Sequence, residues 1–217
     1  MPHMAPMTAT KTLRTPAALA QAGLIAPERV RALGAVAAQY AVAVAPAVAE
    51  LVAACGEPLA RQYLPDEAEL SQTPEERADP IGDHAHMPVE GVVHRYPDRV
   101  LLKVTHACSV YCRFCFRREM VGPGGEGALN AAQVDAALAY IESRPEIWEV
   151  ILTGGDPLVL SPRRLAELMG RLGAVDHVKV VRRHTRLPVV DPDAVTDQMV
   201  AALKAPGKAV YVALHAN

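Results

Sequence analysis

Three of the four cysteines fall within eight residues, Cys108-Ser-Val-Tyr-Cys112-Arg-Phe-Cys115, and Phe116, Arg117 and Arg118 follow at once. Spacings of three and two residues let one loop curl so that all three sulfurs point inward. Thiols crowded in this way, in a chain this long, read as metal ligands rather than as a disulfide framework. Two chemistries fit. Iron–sulfur clusters are held by cysteine thiolates, and a cubane with three protein ligands keeps one iron open for catalysis. Zinc accepts three cysteines and a histidine, and His84, His94 or His106 could be the fourth ligand. Structural zinc motifs usually bring ligands from separated pairs. Here all come from one loop, which leans toward iron–sulfur and leaves zinc open.

Other residue groups could join that chemistry. Gly154-Gly155-Asp156-Pro157 follows an apolar run, where glycines permit close backbone approach and Asp156 could accept from a ligand ammonium. Alone, such a stretch is usually only a turn. Arg95, Tyr96 and Arg99 offer two guanidiniums and a hydroxyl suited to a phosphate, or are surface charges ahead of a strand. Arg117 puts a fixed charge beside the last cysteine, where solvation explains it poorly; Arg118 is more easily a solvated residue. His184, Thr185 and Arg186 follow a predicted strand, and His215 ends another, as a pocket or a core histidine. Cys55, among alanines, reads as a small buried hydrophobe.

The elements that must position these groups follow from periodicity. Residues 100–105, 149–153, 177–181 and 209–214 read as apolar strands, and 130–143, 161–172 and 194–204 as the helices between them. Asn130 and Ser161-Pro162 supply helix starts. This alternation predicts parallel βα units, in a barrel or a doubly wound sheet. Upstream, residues 27–44 and 46–55 read as helices, the second ending at Gly56. Residues 58–88 read as a proline-rich connector with a short helical signal at 66–70.

The totals narrow the function classes. With 51% hydrophobic residues, 21% charged and a formal charge of −2, the chain has a globular composition and no basic field for nucleic acid. Residues 32–49 lack formal charge, but half are alanine and Pro46 would break a spanning helix, so no membrane segment is expected. The first 27 residues carry Lys11 and Arg14 but no acid, a faint echo of a transit peptide; a frayed terminus is the plainer reading.

The cysteine loop, with Phe114 before its last thiol, resembles the signature loop of radical S-adenosylmethionine (SAM) enzymes. The flanking stretches 94–100, 115–118, 152–157 and 186–190 resemble the lysine 2,3-aminomutase family, over residues 79–217 and only weakly upstream. That resemblance implies an α/β fold. It would be a partial (βα) barrel of the radical SAM type, truncated after about four strands and preceded by an N-terminal helical region. The expected division is residues 1–78 for the helical region and connector, and 79–217 for an incomplete core.

The resemblance also implies roles. Cys108, Cys112 and Cys115 would hold three irons of a [4Fe–4S] cluster whose fourth iron binds SAM. Gly154, Gly155, Asp156 and Arg186 would contact SAM; Arg95, Tyr96 and Arg99 the phosphate of pyridoxal phosphate (PLP); and Arg117 the substrate carboxylate. A 5′-deoxyadenosyl radical would abstract a β-hydrogen from a PLP-bound amino acid, and nitrogen would migrate from α to β carbon. The protein would be cytoplasmic, with an electron donor such as a flavodoxin or ferredoxin; homo-oligomerisation is left open. Family members extend past Asn217, and their PLP-bonding lysine lies there; Lys11, Lys103, Lys179, Lys204 and Lys208 lack its glycine-rich setting. Other readings stay in view: the β-lysine-forming enzyme of elongation factor P modification, a radical SAM enzyme without the PLP reaction, and a non-catalytic zinc-binding or inactive truncated module.

Overall fold

The computed structural model describes residues 9–122 and 127–216. Residues 1–8, part of the terminus expected to be frayed, lie outside the described residues. The chain divides into two compact units, one formed by Met1–Pro80 with Ser109–Gly122 and the other by Ile81–Cys108 with Pro123–Asn217. The boundary therefore falls inside the cysteine loop, directly after Cys108.

The first unit is built of short helices. Thr15 caps α1 (Pro16–Gln21) by accepting from the Ala18 amide. Then α2 (Val30–Gln39) buries Leu33 and Val36. The predicted helix to residue 44 stops at Gln39, because Val44 turns extended and exchanges backbone hydrogen bonds with Leu13. Next comes α3 (Pro46–Cys55), ended by Gly56 at φ 72°, a left-handed conformation that glycine adopts without strain. Beyond it lies α4 (Glu57–Tyr63), where a connector was expected. A 3-10 turn at Glu67–Leu70 begins with a capping box between Asp66 and Glu69. Cys55 is exposed and not buried, since α3 turns Val48, Ala49 and Val52 inward instead.

In the second unit, β1 (Val92–Tyr96) pairs antiparallel with β2 (Arg99–Thr105), and β2, β3 (Glu149–Gly154), β4 (Val180–Thr185) and β5 (Ala209–Leu214) run parallel. Among the described residues the sheet thus holds five strands rather than the four read from sequence, in the order β1-β2-β3-β4-β5. Strand β1 escaped notice because its charged half, His94 to Tyr96, breaks the apolar run. Strand β4 sits three residues later than expected: Val175 to Lys179 form the turn before it, and Arg182 and Arg183 are strand residues with buried partners.

The crossover helices are α5 (Ala131–Glu142), with an Asn130–Gln133 capping box, and α6 (Pro162–Gly173), capped by Ser161. After β4 come α7 (Leu187–Val190) and α8 (Asp197–Ala202), which Thr196 caps; the helix expected over 194–204 starts only there. One face of the sheet carries the core: Val100, Leu102, Val104, Val150, Leu152 and Val181 pack with Leu138, Ile141, Leu165, Met169 and Met199. The opposite face presents Lys103, Thr105, Thr153, Arg182 and His184, as the period of two requires. Parallel strands in unreversed order, with helices on one face, are compatible with an arc of a barrel wall and lack the order reversal of a doubly wound sheet. Among the described residues, no helix is long and apolar enough to cross a membrane.

Candidate active site

The C-terminal ends of the parallel strands gather one set of candidates. Gly155 donates its amide to Thr105 O at 2.6 Å and Asp156 to Ala107 O at 2.9 Å, so this segment lies along the chain leading into Cys108. A side chain would not fit: a Cβ on Gly154, at φ 109°, would meet Thr105 O at 2.5 Å, and one on Gly155 would run into Ala107 O. Close backbone approach is therefore real, and the backbone approached is the chain's own.

Asp156 is buried, and both its carboxylate oxygens are used. It accepts from the Leu158 amide (2.9 Å), the Thr185 hydroxyl (2.7 Å), the Arg186 amide (2.8 Å) and the Leu187 amide (3.0 Å). The structure thus brings Gly154, Gly155, Asp156 and Arg186 together. Arg186 is also buried, and its Nε points to His215 O at 3.4 Å. Partial desolvation, reinforced by the Arg186 charge, pushes the exposed His215 below the ordinary histidine value.

At the N-terminal end of β2 the picture differs. Tyr96 and Arg99 are register partners across the hairpin, while Arg95 alternates to the other face. The Arg95 guanidinium donates to Ile81 O and lies 3.9 Å from the buried Asp83. Arg99 grips Asp98 with two hydrogen bonds of 3.0 and 2.9 Å and reaches Glu149 at 3.2 Å. Arg99 and Thr105 are the two ends of a seven-residue strand, about 20 Å apart at the usual rise. The phosphate candidates and the Gly-Gly-Asp segment are therefore not one cluster.

In the other unit, the Cys115 amide donates to Cys112 O at 3.1 Å, so those two cysteines share one tight turn. Burial pushes the Cys115 thiol up, as does Cys112 beside it, while the Arg117 backbone amide directed at the sulfur and the Arg117 and Arg113 charges oppose the rise. Two neighbouring thiols with an amide aimed at sulfur suit iron–sulfur ligation. Arg117 is mostly buried, its guanidinium 4.7 Å from the Phe116 ring centroid. A cavity of about 730 Å³ adjoins the turn, with Cys115, Phe116, Arg118 and Gln72 in its wall. Among the described residues no three His, Cys, Asp or Glu side chains form a metal-holding group; within this unit Cys112 and Cys115 share the turn. His94, weighed as a zinc ligand, instead places Nδ1 2.8 Å from the Tyr140 hydroxyl.

Sequence reading passed over Arg113, although it stands between two cysteines. Its guanidinium binds Glu69 (3.0 and 2.5 Å) and Ala41 O (2.7 Å). The intercysteine position was the available signal for Arg113; nothing in the sequence marks Glu69. Thr185 was noticed only as a neighbour of Arg186.

Comparison with known proteins agrees with this loop and sheet. The profile of the Radical SAM superfamily matches residues 102–217, and the chain belongs to that superfamily. Among curated proteins it is similar to the L-lysine 2,3-aminomutase of Acetoanaerobium sticklandii, 40% identical over 148 residues (68% of this chain, 36% of that protein). The Bacillus subtilis enzyme of the same name is 41% identical over 147 residues (68% and 31%). That of Escherichia coli is 36% identical over 161 residues (74% and 46%). The matched stretch spans about a third to a half of these relatives' own length.

Proposed function

We propose that this chain carries the radical-generating part of an amino-acid 2,3-aminomutase of the lysine type. What supports the reading most is the three-thiol loop directly after β2 in a chain that is 40% identical over 148 residues to an L-lysine 2,3-aminomutase. When bound, a [4Fe–4S] cluster with SAM supplies a 5′-deoxyadenosyl radical, and PLP holds the substrate amine. Cys108, Cys112 and Cys115 would ligate three irons. Gly154 and Gly155 would offer backbone to SAM, with Arg186 as a charged contact and Asp156, its oxygens held by four donors of its own chain, bracing that segment beside the amino group. Arg117, a mostly buried guanidinium, would pair with the substrate carboxylate, where low exposure strengthens the bond. Arg95, Tyr96 and Arg99 would take the PLP phosphate in place of the anions the two arginines now hold, Asp83 and Asp98. The strands would form part of a (βα) barrel in a cytoplasmic protein, reduced by a donor such as a flavodoxin or ferredoxin.

Anaerobic reconstitution with iron and sulfide, followed by SAM and dithionite, tests this. The expected product is a brown chain with about four irons that releases 5′-deoxyadenosine, whereas Cys112→Ala releases none and keeps its circular dichroism spectrum. A colourless chain holding zinc, or undiminished 5′-deoxyadenosine from Cys112→Ala, would overturn the reading. Lysine offered against other amino acids, with PLP present, then tests the substrate through formation of the β-amino isomer.

A further inference from the structure

The turn carrying Cys112 and Cys115 is held by several residues from the N-terminal helical region. The Tyr111 amide donates to Ala43 O (3.1 Å) and the Arg113 amide to Gln62 O (2.8 Å). The Arg113 side chain reaches Ala41 O and grips both oxygens of Glu69, with only 7% and 10% of the two side chains exposed. Glu69 is itself fixed, since its Oε1 also accepts from the Asp66 amide at 2.9 Å. Further along the loop, the Arg118 guanidinium sits 4.4 Å from the Tyr40 ring centroid and 3.6 Å from Glu76. At the loop's far end a Cβ on Gly122 would collide with Ala41. All these residues belong to one compact unit.

We infer that the N-terminal helical region is the positioning scaffold of the cysteine loop, with the Glu69–Arg113 pair as its central clamp. Glu69 lies outside residues 102–217 matched by the superfamily profile, so this role extends the functional machinery beyond that match. The physical reason is the burial of the pair. A guanidinium this enclosed is stable only where its carboxylate and carbonyl partners are fixed, and it sits between the two cysteines whose spacing must be kept. Arg113 and Glu69 are positioning residues. The link to a cluster rests on the function proposed above, whereas the clamp itself does not.

Two measurements on the full chain separate these claims. The first is iodoacetamide alkylation of the metal-free chain, read cysteine by cysteine, with exposed Cys55 as internal control. In Glu69→Gln, alkylation of Cys112 and Cys115 is expected to quicken about tenfold or more, because the stranded Arg113 cation destabilises the closed turn. The Cys55 rate should stay unchanged. Arg113→Lys, which keeps the charge but loses the two-pronged grip, should fall between, and it carries the test if Glu69→Gln does not fold. Unchanged Cys112 and Cys115 rates in both variants would refute the clamp. The second measurement is loss of iron to a chelator after reconstitution, expected to be faster in both variants than in the unsubstituted chain. If the unsubstituted chain takes up no cluster, the functional reading fails and the alkylation rates still decide the clamp.

Discussion

Asp156 accepts a hydrogen bond from the Thr185 hydroxyl at 2.7 Å and thereby ties the end of β3 to the end of β4. The same carboxylate takes the Arg186 and Leu187 amides, so it orders the segment containing a candidate SAM contact. A carboxylate occupied by four donors of its own chain braces two loops, whatever ligand adjoins it. Asp156→Asn turns one acceptor into a donor facing those amides, and is expected to cost about 2–4 kcal/mol. Thr185→Val should cost about 1–2 kcal/mol, and the double variant less than the sum, because both remove one shared contact. Urea unfolding of the four chains measures this. Strict additivity would speak against the brace.

At the opposite end of the sheet, fully buried Glu149 lies between Arg99 (3.2 Å) and Arg182 (2.7 Å) from the neighbouring strands. Its charge is enclosed and theirs are partly solvated. Glu149→Gln is therefore expected to destabilise by about 2–3 kcal/mol, less than for a pair buried on both sides. Denaturant midpoints of the two chains decide it.

The hairpin between β1 and β2 should keep its charge network well into acid. Arg99 first, and the Trp148 indole second, hold the Asp98 carboxyl far below the ordinary aspartate value of 3.8. A depressed carboxyl contributes stability above its unfolded value and loses it as pH falls through the folded one. Trp148 is the chain's one tryptophan and donates to Asp98 at 2.9 Å, so its emission reports the contact. The acid midpoint of that emission should lie below 3.8. In Asp98→Asn the transition should be absent. A wild-type midpoint at or above the ordinary value would contradict the assignment.

Arg183 is wholly buried on the helix side of β4. Its Nη2 meets Leu203 O and the Met169 sulfur, while Nε and Nη1 have no hydrogen-bond partner among the described residues. Burial lowers its value well below that of a free guanidinium, to about 10. For a cation this means that folding is penalised at every pH below 10, and relieved only as pH rises toward the unfolded value. Arg183→Met is accordingly expected to be neutral or to stabilise by about 1–3 kcal/mol. A fall in melting temperature would show that the guanidinium contributes more than it costs.

Local order was legible wherever one side-chain period ruled a segment. Val100, Leu102 and Val104 announce a strand by alternation, and Asn130 and Ser161-Pro162 announce helix starts by capping chemistry. Segments whose polar residues find distant partners were misread. Arg182 and Arg183 belong to a strand because Glu149 on the neighbouring strand and Met169 on the packed helix α6 await them, and residues 57–63 form a helix where prolines implied a connector.

The sequence alone determined the thiol spacing, since Cys108, Cys112 and Cys115 are neighbours along the chain and need no fold to be adjacent. It also determined the superfamily that this spacing marks. Tertiary structure decided what holds and surrounds those residues. Glu69 reaches Arg113 across 44 positions and Asp156 reaches Thr185 across 29, and neither pairing leaves a periodic or compositional trace. Hydrogen bonds and ion pairs act over about 3 Å, so only the folded path of the chain can say which residues come within that distance.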